Sequence, residues 1–277
     1  MSAEGHTAVQ VIEPPRGWPR PDLRAVWRYR DLVYYLARRD LAIRYRQTVI
    51  GAAWAVVRPV AFAAVFASFV TLIGRVPTEG IPYAVFALTG MSMWLFISGS
   101  LLVTSSSTIG SGSLVSKVYF PRLTIPIAAI VPQIVDFGLA MVVLLIAMAI
   151  YGVPLTPHIL ALPVVFALAL VVTFGAGLWL AAYAARYRDV QHVVPFIVQI
   201  GLFASPVLYP IDLVPDSLQV VYSLNPIAGV LEAFRWCVLG TAAPGELIVI
   251  PIVAGLLLFT LGLRVFARAE TRFADDL

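Results

Sequence analysis

The sequence predicts an all-α integral membrane protein with six transmembrane helices, an N-terminal amphipathic interfacial helix and two short re-entrant helices between spans five and six. Three observations predict this fold class. Hydrophobic residues make up 60% and charged residues only 12% of the 277 residues, whereas soluble domains carry about 25% charged residues. The mean hydropathy is +0.90. Apolar stretches recur along the chain, and basic residues gather at their ends.

Six stretches are long enough to cross a bilayer. A hydrocarbon core of about 30 Å requires roughly 20 apolar residues in a helix. Glycine and proline inside several stretches are compatible with this assignment, since neighbouring helices re-satisfy the freed backbone groups. The predicted spans are Trp54–Gly74, Tyr83–Thr104, Ile125–Tyr151, Ile159–Tyr183, Val190–Tyr209 and Leu247–Phe266.

The basic residues predict the orientation of these spans. With a cytoplasmic N-terminus, 17 of the 19 Lys and Arg residues fall on the inner side, and only Arg75 and Arg235 fall outside. By the positive-inside rule, both termini are then cytoplasmic and the protein lies in the inner membrane. The net charge of +4 therefore reflects topology. Nucleic-acid binding is disfavoured, because no separate basic domain exists.

The remaining composition narrows the domain organisation. Residues 1–21 are polar and rich in proline, which predicts a disordered cytosolic tail, and residues 271–277 form a second cytosolic tail. Residues 22–50 form the interfacial gate helix, and residues 51–270 form the six-helix domain. A single cysteine, Cys237, and three scattered histidines give no disulfide and no metal-ligand spacing.

The segment Asp22–Ile50 is too charged to cross a bilayer but lacks glycine and proline, so a helix is expected. Leu32, Leu36 and Ile43 fall on one face at 3.6 residues per turn. Arginine stems and tyrosine rings can lie in the headgroup layer with their polar tips in water. An ordinary solvated helix is the alternative. Four residues are candidates for headgroup or gate contacts: Arg39, Arg44, Tyr45 and Arg58.

The segment Pro210–Glu246 holds two apolar runs broken by proline and asparagine. Neither run reaches the length of a spanning helix, and crossing would place Asp216 or Glu232 in hydrocarbon at a cost of a few kcal/mol each. Two short helices that dip back into the outer leaflet fit better. A pair of surface helices is the alternative interpretation.

Seven short strings, in this order, resemble a known family. The chain is similar to permease subunits of type-2 ABC exporters, in particular to those that export lipid-linked polysaccharide such as O-antigen, teichoic acid or cell-wall galactan. The resemblance covers Asp22–Phe266. The strings are Arg30-Asp31-Leu32 with Arg39-Asp40-Leu41, Arg44–Gly51, Trp54–Pro59, Lys117–Arg122, Tyr187–Val190, Ser205-Pro206-Val207 with Tyr209-Pro210, and Leu224-Asn225-Pro226.

The resemblance implies a function and a set of partners. Two copies of the permease would assemble with two separate ATPase subunits, and a lipid-linked glycan would pass between the permease copies. A phosphate-binding loop needs Gly-x-x-x-x-Gly-Lys-Ser/Thr, and the single lysine, Lys117, follows Ser116 and precedes Val118. ATP and magnesium are therefore expected on the partner ATPase, with no cofactor on this chain.

Two inner loops are candidates for ATPase coupling. The resemblance identifies the loop between spans two and three as the coupling helix, after a flexible polar segment at Ser105–Ser116. Its aromatic residues between basic residues suit a partner groove, although a positive interfacial belt explains the same pattern. For the second loop, at the inner end of span four, the alternative to an ATPase contact is a local ion pair between Arg188 and Asp189. The candidate residues are Lys117, Tyr119, Phe120 and Arg122 in the first loop, and Arg188 and Asp189 in the second.

Several residues within the spans are candidates for the substrate path, because sugar rings stack on aromatic faces. Phe62, Phe66 and Phe69 share one face of span one, and Trp94 and Phe96 lie in span two. Lipid-facing or packing roles are the simpler explanation for any one of these aromatic residues.

Two charged residues are further candidates. Asp136, beside Gln133, is an acid deep within span three; such groups usually face a cavity or a partner. It is predicted either to line a hydrated path or to bind a neighbouring helix. Arg58 could attract a diphosphate-linked lipid headgroup or merely extend to the surface.

Two other functions remain open from the sequence. An integral-membrane acyltransferase or glycosyltransferase would need clustered acids or a His/Asp pair, for which only Asp189 and His192 are close together. A drug or lipid efflux permease would keep the same fold and change the cargo.

Overall fold

The computed structural model describes residues 23–46, 51–73, 76–111 and 120–270, and every regular element in these ranges is a helix. In chain order the α-helices are α1 (Leu23–Arg28), α2 (Arg30–Arg46), α3 (Trp54–Ile73), α4 (Tyr83–Gly110), α5 (Thr124–Ile150), α6 (Leu162–Ala184), α7 (Val190–Ala204), α8 (Asp216–Ser223), α9 (Pro226–Leu239) and α10 (Val249–Glu270). The all-helical prediction is confirmed.

Four helical segments are long and apolar enough to cross a membrane. They are Tyr83–Gly110, Thr124–Ile150, Pro157–Ala184 and Glu246–Glu270. Trp54–Val70 and Val190–Ala204 are shorter apolar segments. The described residues thus give a multi-pass membrane protein with four long spans and two shorter apolar helices at the positions predicted for spans one and five.

The helix α4 lies at the centre of the molecule. Of its apolar window, 83% is buried, against 17% to 33% for the other three long spans. It packs against α3, α5, α6, α7 and α9. Since its neighbours cover most of its surface, α4 is a protein-buried helix, and the other long spans lie around it with more of their surface exposed.

The polar residues predicted as the flexible start of the first inner loop are partly helical. The prediction was wrong for residues 105–110, because α4 continues to Gly110. Ser105 and Ser106 donate to the carbonyl of Leu102 at 3.0 and 2.9 Å, and Ser107 donates to that of Thr104 at 2.8 Å. These bonds pair the serine hydroxyl groups within the helix, so the helix can continue without the free-energy cost of unpaired hydroxyl groups.

Small residues allow α6 and α10 to cross closely. A Cβ atom on Gly262 would lie 2.1 Å from the carbonyl oxygen of Gly175, and one on Gly175 would lie 2.4 Å from the Cα of Phe259. Helix pairs in membranes use such glycine contacts because van der Waals packing replaces the hydrophobic driving force. This crossing fixes the last span against the fourth.

The predicted interfacial helix consists of two pieces, α1 and α2, separated at Tyr29. Leu36 and Ala37 of α2 are buried with Ala128 of α5. Ile43, assigned to the same apolar face, is 69% exposed. The helix α2 therefore rests on α5 through its middle turns, and residues 47–50 lie outside the described residues.

Candidate functional site

A polar attachment joins the last turn of α2 to the middle of α5. Arg44 Nη2 lies 2.7 Å from Asp136 Oδ2, and the Tyr45 hydroxyl donates to Asp136 Oδ1. Arg44 Nη2 also donates to Gln133 Oε1 at 3.4 Å. Gln133 and Asp136 are three residues apart on a helix, so their side chains share one face. The deep acid predicted in span three thus binds a neighbouring helix.

The position of Gln133 depends on a glycine in α4. A Cβ on Gly99 would lie 2.6 Å from Gln133 Oε1, closer than van der Waals contact allows. Gln133 is 4% exposed, and its amide fits only because Gly99 leaves this space. Gly99 of the central helix α4 therefore fixes the position of the Gln133 side chain, and Gln133 in turn accepts a hydrogen bond from Arg44.

Tyr45 remains a hydrogen-bond donor at neutral pH. Burial is the largest cause that raises the pKa of Tyr45 to about 12, followed by its hydrogen bond with Asp136 and the negative charge of that carboxylate, while Arg44 acts in the opposite direction. A neutral phenol opposite a carboxylate donates its proton without charge repulsion. The attachment thus combines one ion pair and one phenol hydrogen bond on a single acid.

A cavity of about 390 Å³ lies between α2, α3, α4 and α5, next to this attachment. It contains two cationic side chains, Arg44 and Arg58, and the carboxylate of Asp136. Trp54, Phe96 and Phe137 supply aromatic walls, and the other lining residues are Tyr45, Gly51, Ala55, Ser92, Leu95, Ser98, Gly99, Leu102, Gln133 and Ala140. Guanidinium groups beside aromatic faces suit an anionic group linked to an apolar or sugar moiety.

A second cavity of about 410 Å³ lies on the other side of Arg44, between α2, α4 and α5. Arg44 and Gln133 line both cavities. Arg39 and Asp40 also line the second one, and they form an ion pair with each other at 2.9 Å. The attachment is therefore a partition between a cavity beside the basic helix and a cavity among the spans.

The aromatic residues predicted for the path separate into two groups. Phe62 and Phe69 on α3 are 43% and 58% exposed, and Phe66 is partly buried against the core. Trp94 and Phe96 on α4 are 5% and 2% exposed. Of these five, only Phe96 lines the cavity among the spans; the structure does not bring the others to it.

Phe96 belongs to a phenylalanine cluster that pattern analysis did not identify. Its ring centroid lies 5.4 Å from that of Phe137 and 5.0 Å from that of Phe166. Phe137 in turn lies 5.8 Å from Phe234. These residues come from α4, α5, α6 and α9, so no local spacing could have grouped them.

The predicted coupling residues lie in two places. Lys117 and Tyr119 lie outside the described residues. Phe120 is 3% exposed and is buried with Leu178 and Phe266. An anchor in a partner groove must be exposed, so Phe120 acts in this structure as an internal support for the end of the loop.

Arg122, also predicted for coupling, contacts the end of α10. Its main-chain N–H donates to Glu270 Oε1 at 2.8 Å, and its Nη1 donates to the Glu270 carbonyl oxygen at 3.3 Å. The acid was not among the predicted site residues, because 148 residues separate it from Arg122. The end of the loop before α5 is thereby connected to the last helix of the chain.

Arg188 and Asp189 lie at the turn between α6 and α7, and both are exposed. His192 is exposed one turn further on. Within the described ranges, no group of three or more His, Cys, Asp or Glu residues could hold a metal ion. The turn offers exposed charged groups on the surface.

Comparisons with known proteins match this architecture. Residues 31–239 match a family described as "ABC-2 type transporter", a range that includes α2, the attachment and both cavities. The chain is 25% identical over 248 residues to "O-antigen export system permease protein RfbA" of Klebsiella pneumoniae, covering 89% of this chain and 95% of that protein. It is 28% identical over 215 residues to the protein of the same name from Myxococcus xanthus, covering 77% and 82%.

Proposed function

This chain belongs to the ABC-2 type transporter family, and on that basis we propose that it is the transmembrane permease subunit of an ATP-driven exporter of lipid-linked polysaccharide. Two relatives that span most of its length are named as O-antigen export permeases. The proposal places the protein in the cytoplasmic membrane with both termini inside, and assigns spans one and five to α3 and α7.

The observation that carries the cargo class is the composition of the cavity among the spans. Arg44 and Arg58 supply positive charge, and Trp54, which is 44% exposed, supplies an accessible aromatic face. A lipid-linked glycan has a phosphate-bearing headgroup between a sugar and a long apolar chain. Arginine binds phosphate oxygens with paired N–H donors, and aromatic faces accept sugar rings. We propose this cavity as the headgroup site.

The partition at Arg44 suggests how the headgroup enters. Arg39 lines the cavity beside the basic helix α2, and Arg58 lines the cavity among the spans. An anion at Arg44 competes with Asp136 for the same guanidinium donors. The headgroup would thus loosen the attachment of α2 to α5 as it passes from one arginine to the next. The contacts between its phosphate and the arginines would offset the free energy lost when Arg44 leaves Asp136.

ATP hydrolysis would be the task of a separate subunit. The family has ATPase partners, and the single lysine of this chain, Lys117, lies between Ser116 and Val118, where a phosphate-binding loop requires Gly before the lysine and Ser or Thr after it. We propose two permease copies and two ATPase copies, with the loop around Lys117 and the turn at Arg188 as the contact surfaces. Arg122 would transmit motion to α10 through Glu270.

The experiment is co-purification of this chain with tagged ATPase subunits encoded beside its gene, followed by measurement of ATP hydrolysis. The proposal expects a complex whose hydrolysis rises with lipid-linked glycan. A complex that responds to drug-like amphiphiles and not to the glycan would assign the fold to efflux. Absence of any bound ATPase would contradict the proposal and favour a membrane-embedded transferase. Replacement of Asp189 and His192 would then test for catalytic residues.

A further inference from the structure

The fifth apolar helix ends before it has crossed a full bilayer. At 1.5 Å per residue, the 15 residues of α7 are about 22 Å long, shorter than the hydrocarbon core of about 30 Å. The chain leaves the helix at Ser205 because Pro206 has no N–H to continue it. The prediction of a span as far as Tyr209 was therefore wrong at its end.

The chain after α7 is buried although it is not helical. Residues 205–208 are all buried, and Val207 is 0% exposed. Non-helical backbone at membrane depth is tolerated only where protein or water satisfies its polar groups. The carbonyl groups of this segment must therefore find donors on neighbouring helices.

Arg235 of α9 supplies most of these donors. Its Nη2 donates to the Val207 carbonyl at 2.6 Å, and its Nη1 donates to the Tyr209 carbonyl at 3.3 Å. The Tyr83 hydroxyl of α4 donates to the intervening Leu208 carbonyl at 2.9 Å. Three successive carbonyl groups are thus held by side chains from two other helices.

The guanidinium group lies against α4 as well as against the loop. Its carbon lies 4.0 Å from the ring centroid of Phe86, a cation–π distance. A Cβ on Gly90 would lie 2.0 Å from the Val207 oxygen and 2.9 Å from Arg235 Nη2. Gly90 is therefore the notch that admits both the carbonyl and the arginine.

Packing alone does not account for an arginine at this place. Arg235 is 4% exposed, and none of the salt bridges among the described residues includes it. Its Nε has no hydrogen-bond partner there. A buried guanidinium that is not ion-paired is costly, and Glu232 acts on it without forming a salt bridge, whereas methionine would fill a similar volume. What Arg235 adds is a set of directed bonds between α9, α4 and the end of α7.

We propose that Arg235 is a positioning residue that makes α9, the end of α7 and α4 move as one body at the outer end of the transport path. The contacts of Arg235 described above support this connection, and its expected effect on transport rests on the proposed export function. Export would need the connection, and ATP hydrolysis at the opposite face would not.

The test compares export with hydrolysis in the complete permease–ATPase complex. Arg235→Met removes the donors, and Gly90→Ala displaces the same carbonyl without removing the charge. Gly138→Ala is the matched control, because a Cβ there meets no atom within 4 Å. We expect both test variants to assemble and hydrolyse ATP normally, with glycan exported per ATP reduced at least about tenfold, the change expected from losing the charge-assisted hydrogen bond to the Val207 carbonyl alone. Arg235→Lys should recover part of this ratio.

Two results would overturn the proposal: a normal export ratio in Arg235→Met, or a parallel fall of complex yield, hydrolysis and export, which indicates a structural role only. A second measurement does not depend on the cargo. Val207→Cys should react with a membrane-impermeant thiol reagent at least about tenfold faster when Arg235 or Gly90 is replaced. Equal rates contradict the positioning role even if the wild-type complex exports no glycan. The chain without Val207→Cys gives the background from Cys237, which is buried.

Discussion

Arg44 and Asp136 join the N-terminal basic helix α2 to the long apolar helix α5 through an ion pair of 2.7 Å between Nη2 and Oδ2. Their side chains are 30% and 19% exposed, so water screens the pair only in part. The same carboxylate accepts the Tyr45 hydroxyl. A single acid thereby fixes the last turn of α2 beside the cavity that holds Arg58.

Replacing Asp136 with Asn should destabilise the folded chain. Arg44 then loses its acid while it stays partly buried, which costs about 1–3 kcal/mol in the free energy of unfolding. Thermal unfolding of the purified protein measures this loss. The double variant Arg44→Gln/Asp136→Asn should lose less than the sum of the single variants, with a coupling of about 1 kcal/mol. Additive effects would show that the pair contributes nothing.

The Tyr45→Phe variant should be less stable by the same amount at pH 7, 8 and 9. The pKa of Tyr45 is raised from its usual 10.0 to about 12. A raised pKa means that the stabilisation is complete below pH 10 and is lost as pH rises towards 12. Thermal unfolding of both proteins at the three pH values checks this. If the difference shrinks by pH 9, the hydroxyl titrates too early for the geometry described.

The attachment shows how far sequence analysis could reach. Asp136 was recognisable as a deep acid, and one of its two open roles, binding to another helix, is what the structure shows. Its partners could not be derived, because 91 residues separate Tyr45 from Asp136 and no local periodicity relates α2 to α5. Arg44 and Tyr45 were predicted at the headgroup layer and also form the wall of a cavity.

Arg58→Gln should weaken the response of the complex to lipid-linked glycan. If Arg58 contacts the phosphate group, the glycan concentration for half-maximal stimulation of ATP hydrolysis should rise about tenfold, with little change in the maximal rate. Arg30→Gln is the matched control, since Arg30 is exposed and lies 4.0 Å from the exposed Asp31. An equal shift in both variants would mean that Arg58 acts only through general surface charge.

Glu270→Ala should uncouple the inner loop from α10, whereas Glu270→Gln should be mild. The main-chain N–H of Arg122 donates to Glu270 Oε1 at 2.8 Å, and the glutamine amide still offers an acceptor oxygen there. We expect the alanine variant to hydrolyse ATP with reduced glycan stimulation, and the glutamine variant to retain most of it. Identical behaviour of the two variants would exclude this hydrogen bond as the connection.

Gly262→Ala should destabilise the crossing of α6 and α10. Its Cβ would lie 2.1 Å from the Gly175 carbonyl oxygen, and such overpacking costs about 1–3 kcal/mol. Gly138→Ala, which meets open space, should be neutral or slightly stabilising because alanine favours helix. The unfolding temperatures of the two variants test this prediction. A Gly262→Ala protein as stable as Gly138→Ala would contradict the close crossing.

Element positions were more predictable than element ends. Apolar length located helices at all six stretches, and four of them are long enough to cross a membrane, because a bilayer imposes a uniform length requirement on spanning helices. The predicted helix ends were wrong where side-chain hydrogen bonds change where a helix can stop. Serine hydroxyls that bond to carbonyl groups within α4 let this polar stretch stay helical as far as Gly110. Arg235 and Tyr83 bond to the carbonyl groups that follow α7, so this helix can end at Ala204. Such compensation comes from distant residues, so hydropathy does not detect it.

The most direct test of the export function is a translocation measurement. The permease and its ATPase are reconstituted in liposomes with lipid-linked glycan, ATP is added on the ATPase side, and glycan on the opposite face is measured by its access to a glycosidase. The proposal predicts ATP-dependent transfer that requires both subunits and falls in Arg58→Gln. An assembled, ATP-hydrolysing complex that leaves all glycan on the ATPase side would contradict it.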